Sequence, residues 1–288
     1  MTMNTTASTK NTLYLDAEKH LLVYGSGYYL NGKNHAILGY KDTYTFEESK
    51  NGVIGTFAIK PGTANYLYDN TTALDVYANG THTNCDWIIE EVTTLPVTIG
   101  AVGYATLYAP VALQIPDGVT AYTGTMNGEW LTLKEIEGDV IPANEGVILY
   151  ADNADTYNFD IAADAVENVE DNVVIGKIEN HAKTSVTTGT PYTLQSNDEG
   201  GVVFRKYTGT DPLKGFKSYL VLPEAGATHA IGIRFGNEEN GEGGTTSIDN
   251  EQLTIDNGQL TIYDLQGRRV LNPTKGMYIV NGKKIVIK

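Results

Sequence analysis

Short apolar runs broken by turn residues give this chain the pattern of strands rather than of a helical domain. Between Asn11 and about Val92 the runs are Leu13-Tyr14-Leu15, Leu21-Leu22-Val23-Tyr24, Tyr28-Tyr29-Leu30, Ala36-Ile37-Leu38, Tyr44-Thr45-Phe46, Thr56-Phe57-Ala58-Ile59, Tyr66-Leu67-Tyr68, Leu74-Asp75-Val76-Tyr77 and Trp87-Ile88-Ile89. Gly25, Gly27, Gly32, Gly39, Gly55, Gly62 and Gly80 punctuate them. Tyr29-Leu30 followed by Tyr44-Thr45-Phe46-Glu47-Glu48 parallels Tyr66-Leu67 followed by Trp87-Ile88-Ile89-Glu90-Glu91, which predicts related units of roughly 40 residues.

From about Pro96 to Gly236 a second pattern occurs twice. Tyr122 through Trp130-Leu131-Thr132-Leu133 leads to Ile141-Pro142-Ala143-Asn144-Glu145-Gly146-Val147-Ile148-Leu149-Tyr150. Tyr192 through Val202-Val203-Phe204-Arg205-Lys206-Tyr207 leads to Asp211-Pro212-Leu213 and on through Ser218-Tyr219-Leu220-Val221-Leu222. A hairpin feeds a proline-bearing turn and then a nearly continuous apolar strand, so two similar units are expected to pack face to face. Tyr104 to Ala109 adds a strand ended by Pro110, and acidic Ala162 to Asn172 is expected to form a short helix or a solvated loop. Asn237 to Gly244 is an acidic, glycine-rich linker. Beyond it come three short strands, with turns at Gln266-Gly267 and at Asn281-Gly282, the strongest short hairpin signal in the chain. The expected organisation is a module over 11–94, a duplicated β-sandwich-like module over 95–236, a linker over 237–258 and a small antiparallel β unit over 259–288. The fold class is all-β.

Composition narrows the function. At 288 residues, 41% hydrophobic and 19% charged, the chain can bury sizeable cores, and no apolar run approaches the roughly 20 residues of a spanning helix. A net charge of −15 would repel a phosphate backbone, which argues against nucleic acid as a partner. The 19 Tyr against 6 Phe suit half-buried strands and polar binding surfaces. Charge is also unevenly placed: residues 259–288 hold Arg268, Arg269, Lys275, Lys283, Lys284 and Lys288 against Asp264 alone, whereas the body is strongly acidic. The tail is therefore expected to serve a different partner from the body.

Three resemblances add to this. The front runs fit a barrel or trefoil, and Leu74-Asp75-Val76 with Trp87 resembles the ricin-type β-trefoil lectin repeat, in which a Leu-Asp-Val strand precedes a closing Trp; here Cys85-Asp86-Trp87 replaces the usual Gln-x-Trp. That resemblance implies glycans as a partner, with Asp75, Tyr77, Asn79 and Trp87 as contacts. Ala105-Thr106-Leu107-Tyr108-Ala109-Pro110 with Ile141 to Val147 resembles a β module near the C-termini of large secreted Bacteroidetes proteins. The tail, with Tyr263-Asp264-Leu265-x-Gly267-Arg268-x-Val270, Gly276-x-Tyr278-Ile279 and Gly282-Lys283-Lys284, is similar to the C-terminal sorting domain of the type IX secretion system. It implies the outer-membrane translocon as partner, a secreted or cell-surface location, and Tyr263, Asp264, Gly267, Arg268, Gly276, Tyr278, Gly282, Lys283 and Lys284 as signal residues. Met1 to Lys10 lacks the basic segment and apolar core of an export signal, so the chain is expected to be a fragment of a longer precursor.

Catalytic constellations are sparse. His82-x-x-Cys85 has the spacing of half a zinc site without a second pair, and nothing gives the two the geometry of a nucleophile and its base. Asp152-Asn153-Ala154-Asp155 lacks the glycine and distal glutamate of a calcium loop. Glu47-Glu48, Glu90-Glu91 and Glu238-Glu239 are sequence neighbours, and neighbours on a strand point to opposite faces rather than across a cleft. The expectation is a chain that is not an enzyme, with no metal and no cofactor. Its first expected function is export by the tail; the alternative is a carbohydrate-binding accessory module of a glycan-active enzyme.

Overall fold

In the computed structural model the chain is nearly all β, with two single-turn 3-10 helices among the described residues, Thr83–Cys85 and Lys183–Ser185. The structure describes residues 2–4, 11–30, 41–62, 65–69, 74–77, 79–128, 130–197, 201–223, 230–235, 262–264, 269–270, 276–280 and 283–287. For residues 2–4, 11, 74–77 and the tail strands it describes the backbone alone. The run at Ala36–Leu38 and the linker lie outside these residues. Two compact units divide the chain, Met1–Gly241 and Glu242–Lys288.

The front of the first unit is a sheet and two hairpins. Strands β1 (Thr2–Asn4), β2 (Asn11–Leu15), β3 (Leu21–Val23), β4 (Tyr28–Tyr29) and β9 (Ile88–Glu90) form a sheet ordered β4-β3-β2-β1-β9; β5 (Tyr44–Glu48) pairs with β6 (Phe57–Pro61) and β7 (Tyr66–Asp69) with β8 (Leu74–Tyr77). A core of Leu13, Leu21, Leu30, Tyr44, Ile59, Leu67 and Trp87 joins the sheet to the hairpins.

The middle is duplicated strand for strand. Its first half contains β11 (Tyr104–Tyr108), β13 (Thr120–Asn127), β14 (Trp130–Glu135) and β16 (Gly146–Tyr150), with β10 (Thr94–Ile99), β12 (Leu113–Gln114), β15 (Val140–Ile141) and β17 (Asp155–Asp160) as additions. Its second half contains β18 (Val174–Lys177), β19 (Thr190–Ser196), β20 (Val202–Lys206) and β21 (Lys217–Leu222), and β22 (Gly232–Phe235) follows. The first sheet runs β11-β16-β13-β14, extended by β22 parallel to β14, and the second runs β18-β21-β19-β20: in each, first, last, second, third. The registers coincide too. Tyr122 lies opposite Ile148, which lies opposite Thr106; Tyr192 lies opposite Leu220, which lies opposite Val174. From this frame Asn144 corresponds to Phe216, Glu145 to Lys217, Val147 to Tyr219, Leu113 to His181 and Ile136 to Tyr207. Equivalent backbone bonds agree: Asn144 N–H donates to Ala109 O as Phe216 N–H donates to Lys177 O, and Ile136 N–H donates to Ala121 O as Tyr207 N–H donates to Pro191 O. Asn144 and Phe216 share a left-handed conformation, at φ 60° and 57°.

The two sheets pack face to face over Leu131, Leu133, Ile148, Val174, Tyr192, Phe204, Leu220, Leu222 and Ile231. The first sheet is covered on its other face as well. There the antiparallel pair β10–β17 and the β12–β15 pair lay Leu95, Val97, Ile99, Phe159, Leu113 and Ile141 against Leu107, Ala121, Val147 and Leu149. Burial on both faces explains why β16 reads as a continuous apolar run rather than an alternation.

Glu145 shows what the Ile141–Val147 string does. It is 5% exposed, and its carboxylate accepts from Asn168 Nδ2 (2.6 Å), from the Val169 N–H (3.0 Å) and from Asn172 Nδ2. Asn172 in turn accepts from the N–H groups of Gly124 and Val174. The acidic segment 162–172 is thus a non-helical loop, tied to the body by one buried carboxylate. Gly146 follows because a Cβ there would run into Val174 O of the facing sheet.

Front and middle share a small core of Leu22, Tyr29 and Phe216, flanked by Tyr14, Tyr24 and Ile178. Buried Asn180 locks it: its N–H donates to Gly27 O (2.7 Å), its Nδ2 to Ser26 O (2.8 Å), and its Oδ1 accepts from Gly215 N (2.7 Å). Gly27, at φ 69°, has no room for a Cβ beside that amide.

The second unit is a sheet ordered β24-β23-β25-β26, made of β23 (Ile262–Asp264), β24 (Arg269–Val270), β25 (Gly276–Val280) and β26 (Lys283–Ile287). Four strands appear where three were expected, because the stretch ending at Val270 folds back on itself as β23–β24. The register Val280↔Lys283 leaves a two-residue connection at Asn281-Gly282, as the hairpin rule predicts.

Candidate functional site

Of the residues expected to bind sugar, Trp87 is placed in the core of the front. Its ring is a core group, 6% exposed, packed with Leu13, Leu21 and Leu67, and its Nε1–H is satisfied by Leu67 O at 3.1 Å. A ring so enclosed offers no face for stacking. Asn79 is exposed, with Oδ1 accepting from the Thr81 N–H. Asp75 and Tyr77 lie on β8, opposite Tyr68 and Tyr66, and their side chains lie outside the described residues.

His82 and Cys85 sit at the two ends of one 3-10 turn. His82 caps the short 3-10 turn through Nδ1, which accepts from Asn84 N–H at 3.2 Å. Burial, with Asp86 adding to it, pushes the buried Cys85 thiol up to about 11, so little nucleophilic thiolate exists near neutral pH. Asp152 accepts from the Tyr150 hydroxyl at 2.6 Å, and Asp155 from the Thr156 N–H. Asp16, Glu18 and His20 come within reach of one cation, yet Asp16 is already bonded to His20 N and Nδ1, both at 2.8 Å, closing the turn between β2 and β3.

In the tail, Tyr263 lies opposite Ile279, itself opposite Lys284, and Asp264 lies opposite Tyr278. The signal residues Tyr263, Asp264, Gly276, Tyr278, Lys283 and Lys284 therefore share one four-stranded sheet. Gly267, Arg268 and Gly282 lie outside the described residues.

A site unmarked by any motif sits on the second half of the middle. There the face equivalent to the one that β10–β17 covers carries polar groups. Where the first half places Leu113, Ile136 and Val147 in its core, the second half places His181, Tyr207 and Tyr219. Leu107 is 2% exposed, whereas its counterpart Ile175 is 41% exposed. A cleft of about 310 Å³ opens beside this face, lined by Thr193, Tyr207, Asp211, Lys214, Lys217 and Tyr219 among others. A second cleft of about 300 Å³, lined by Leu15, Tyr24, Val92, Leu95, Val111 and Phe216, is mainly apolar.

The walls of the polar cleft are held in place. Tyr207 O–H donates to Asp211 O at 2.8 Å, which fixes its ring. His181 Nδ1 lies 3.1 Å from Glu179 O, an atom that can only accept, so the imidazole proton sits on Nδ1. Nε2 is then the acceptor, and Tyr219 O–H donates to it at 3.0 Å. Burial holds His181 below its ordinary value and Tyr219 above its own, so this pair is neutral at physiological pH. Lys217 has an exposed side chain, yet the protein packed around it desolvates the ammonium and lowers its pKa. Among the described residues, neither Lys214 nor Lys217 has a side-chain ion pair or hydrogen bond.

The signal for this site was present in the sequence. It appears once the halves are aligned and residues that are apolar in one and polar in the other are marked. No family model matches the chain, and comparison with curated proteins and with solved structures finds no match.

Proposed function

We propose that this chain is a non-catalytic part of an exported or cell-surface bacterial protein of the Bacteroidetes kind, with residues 259–288 acting as a type IX secretion and sorting address. The observation that carries this reading is that the motif residues belong to a compact unit of their own, Glu242–Lys288, built as one antiparallel sheet. A translocon that reads an address needs it displayed independently of the cargo, and a basic tail on an acidic body gives it a distinct electrostatic face. The test is export of the full chain and of a variant lacking residues 259–288 in a type IX-competent host. Loss of surface or medium protein, with accumulation inside the cell, is expected; unchanged export overturns the reading.

A second reading, carbohydrate binding, is favoured by the cleft beside β19 and β21, whose lining mixes apolar Leu194, Pro212 and Leu213 with polar side chains. Fixed tyrosine rings, hydroxyls and an acid around a concave space are the groups that hold sugars by stacking and hydrogen bonding. In this reading the body is an accessory module, and the surface that binds is the cleft rather than the surroundings of Trp87.

A further inference from the structure

The duplication supplies an internal control for the cleft. Both halves have the same strand order, the same register and the same left-handed residue before the last strand. Position 145/217 then diverges completely. Glu145 is buried and bonded to its own loop, whereas Lys217 lines a cavity and has no described partner. The difference does not follow from the needs of the fold, because the first half satisfies the same backbone with a closed, apolar face. Lys214 adds a second unpaired cation on the same wall. In a chain of net charge −15, two lysines that line one cavity without a described partner favour an anion there.

Two further features narrow the anion. Asp211 lines the cleft and would repel a group that is negative all over, while accepting bonds from hydroxyls. The ring of Tyr207 stands fixed beside it as a flat apolar wall. At about 310 Å³ the space is at the low end of small-molecule pockets, enough for one ring-sized group. Resting on the carbohydrate reading above, we propose that the cleft binds an acidic sugar, a pyranose bearing a single carboxylate, with Lys217 and Lys214 facing the carboxylate, Asp211 and Thr193 the hydroxyls, and Tyr207 the ring.

The crowding around Lys217 fits this role. Its ammonium is incompletely solvated in the empty cleft, so an arriving carboxylate restores stabilisation that water does not supply. Binding is then expected to raise the Lys217 pKa and to weaken with added salt.

The experiment is a titration of the full chain with glucuronate, galacturonate, glucose and succinate, followed by calorimetry and by the chemical shifts of the lysine ammonium groups. A uronate is expected to bind at about millimolar Kd or tighter and about tenfold or more above glucose, with Lys217 shifting most. Lys217→Met is expected to remove that preference and Lys217→Arg to keep most of it. Both leave the melting temperature unchanged, because the side chain is exposed and makes no described bond. Equal binding of glucose and uronate overturns the acidic preference and leaves the carbohydrate reading standing. Equal binding of succinate overturns the sugar. Silence toward every sugar, or a preference that survives Lys217→Met, overturns the proposal, and the first of these also removes the carbohydrate reading.

Discussion

The two halves of the middle region share a backbone and differ in what they do with one face. In the first, the β10–β17 strand pair closes the outer face, and Glu145 turns inward to gather the 162–172 loop. In the second, the equivalent face stays open, His181, Tyr207 and Tyr219 replace apolar residues, and Lys217 stands at the rim of a cleft. One copy provides stability while the other is free to carry chemistry. The contrast teaches that in a duplicated fold a functional position is recognised by comparison with its twin, where neither chemistry nor spacing alone would mark it.

The largest expected effect falls on that pair of positions. Glu145→Ala would strip the acceptor from three donors inside a buried site, and a cost of about 4 kcal/mol is expected in the midpoint of chemical denaturation. Lys217→Met at the twin position should change stability by less than about 0.5 kcal/mol. Similar losses from both would mean that the halves are equivalent after all and that the cleft wall is structural.

Next comes the left-handed position. Asn tolerates φ near 60° because its short polar side chain relieves the strain, so Asn144→Gly is expected to alter stability by no more than about 0.5 kcal/mol. Phe216 at φ 57° is strained for its type, and glycine would relieve about 1 kcal/mol. Its ring, however, joins Leu22 and Tyr29 in the core that binds front to middle, and losing it costs about 3 to 5 kcal/mol. Phe216→Gly should therefore lose about 3 kcal/mol net. A neutral result would place the junction's strength in Asn180 alone.

A smaller contrast lies one residue past Glu145 and Lys217. Gly146→Ser forces a Cβ toward Val174 O of the facing sheet and is expected to cost about 2 kcal/mol. Ser218 already accommodates the larger side chain and donates Oγ–H to Val147 O at 2.8 Å, so Ser218→Gly should lose only about 1 kcal/mol.

What could be read from the sequence follows the physics of each signal. The duplicated strands were legible because a strand buried on both faces is a continuous apolar run, as Val147-Ile148-Leu149 is, and Tyr219-Leu220-Val221-Leu222 repeats that run in the second half. Asn281-Gly282 was legible because few dipeptides suit a two-residue hairpin. The role of Trp87 was not, since a tryptophan that fills a core and one that stacks on sugar look alike until the partner of its N–H is known. The role of Glu145 has no sequence signal either, because its partners Asn168 and Asn172 lie in a loop with no periodicity. The cleft stayed hidden for a related reason: Thr193, Tyr207 and Lys217 are scattered in sequence and line one cavity only when the second sheet has formed.

The smallest expected effect concerns the pair that replaces Leu113 and Val147. His181 is held neutral by burial, its folded pKa lying below 6.5, so as pH falls through 6.5 the unfolded chain takes up a proton before the folded one does. Stability from this source is complete above 6.5 and declines below it until the folded pKa is reached. Asp16 acts in a separate, more acidic window. Its carboxylate is partly desolvated, which alone would raise the pKa, yet the bonds to His20 N and Nδ1 outweigh this and keep it below 3.8, so its contribution is lost only at still lower pH. The double substitution His181→Leu with Tyr219→Phe removes donor and acceptor together, and should change stability by less than about 1 kcal/mol at pH 8. Urea unfolding at steps from about pH 8 to about pH 5 should show a decline in the parent that the double variant lacks. Parallel curves would mean that His181 takes up its proton alike in the folded and unfolded chains, so that burial does not disfavour its charged form.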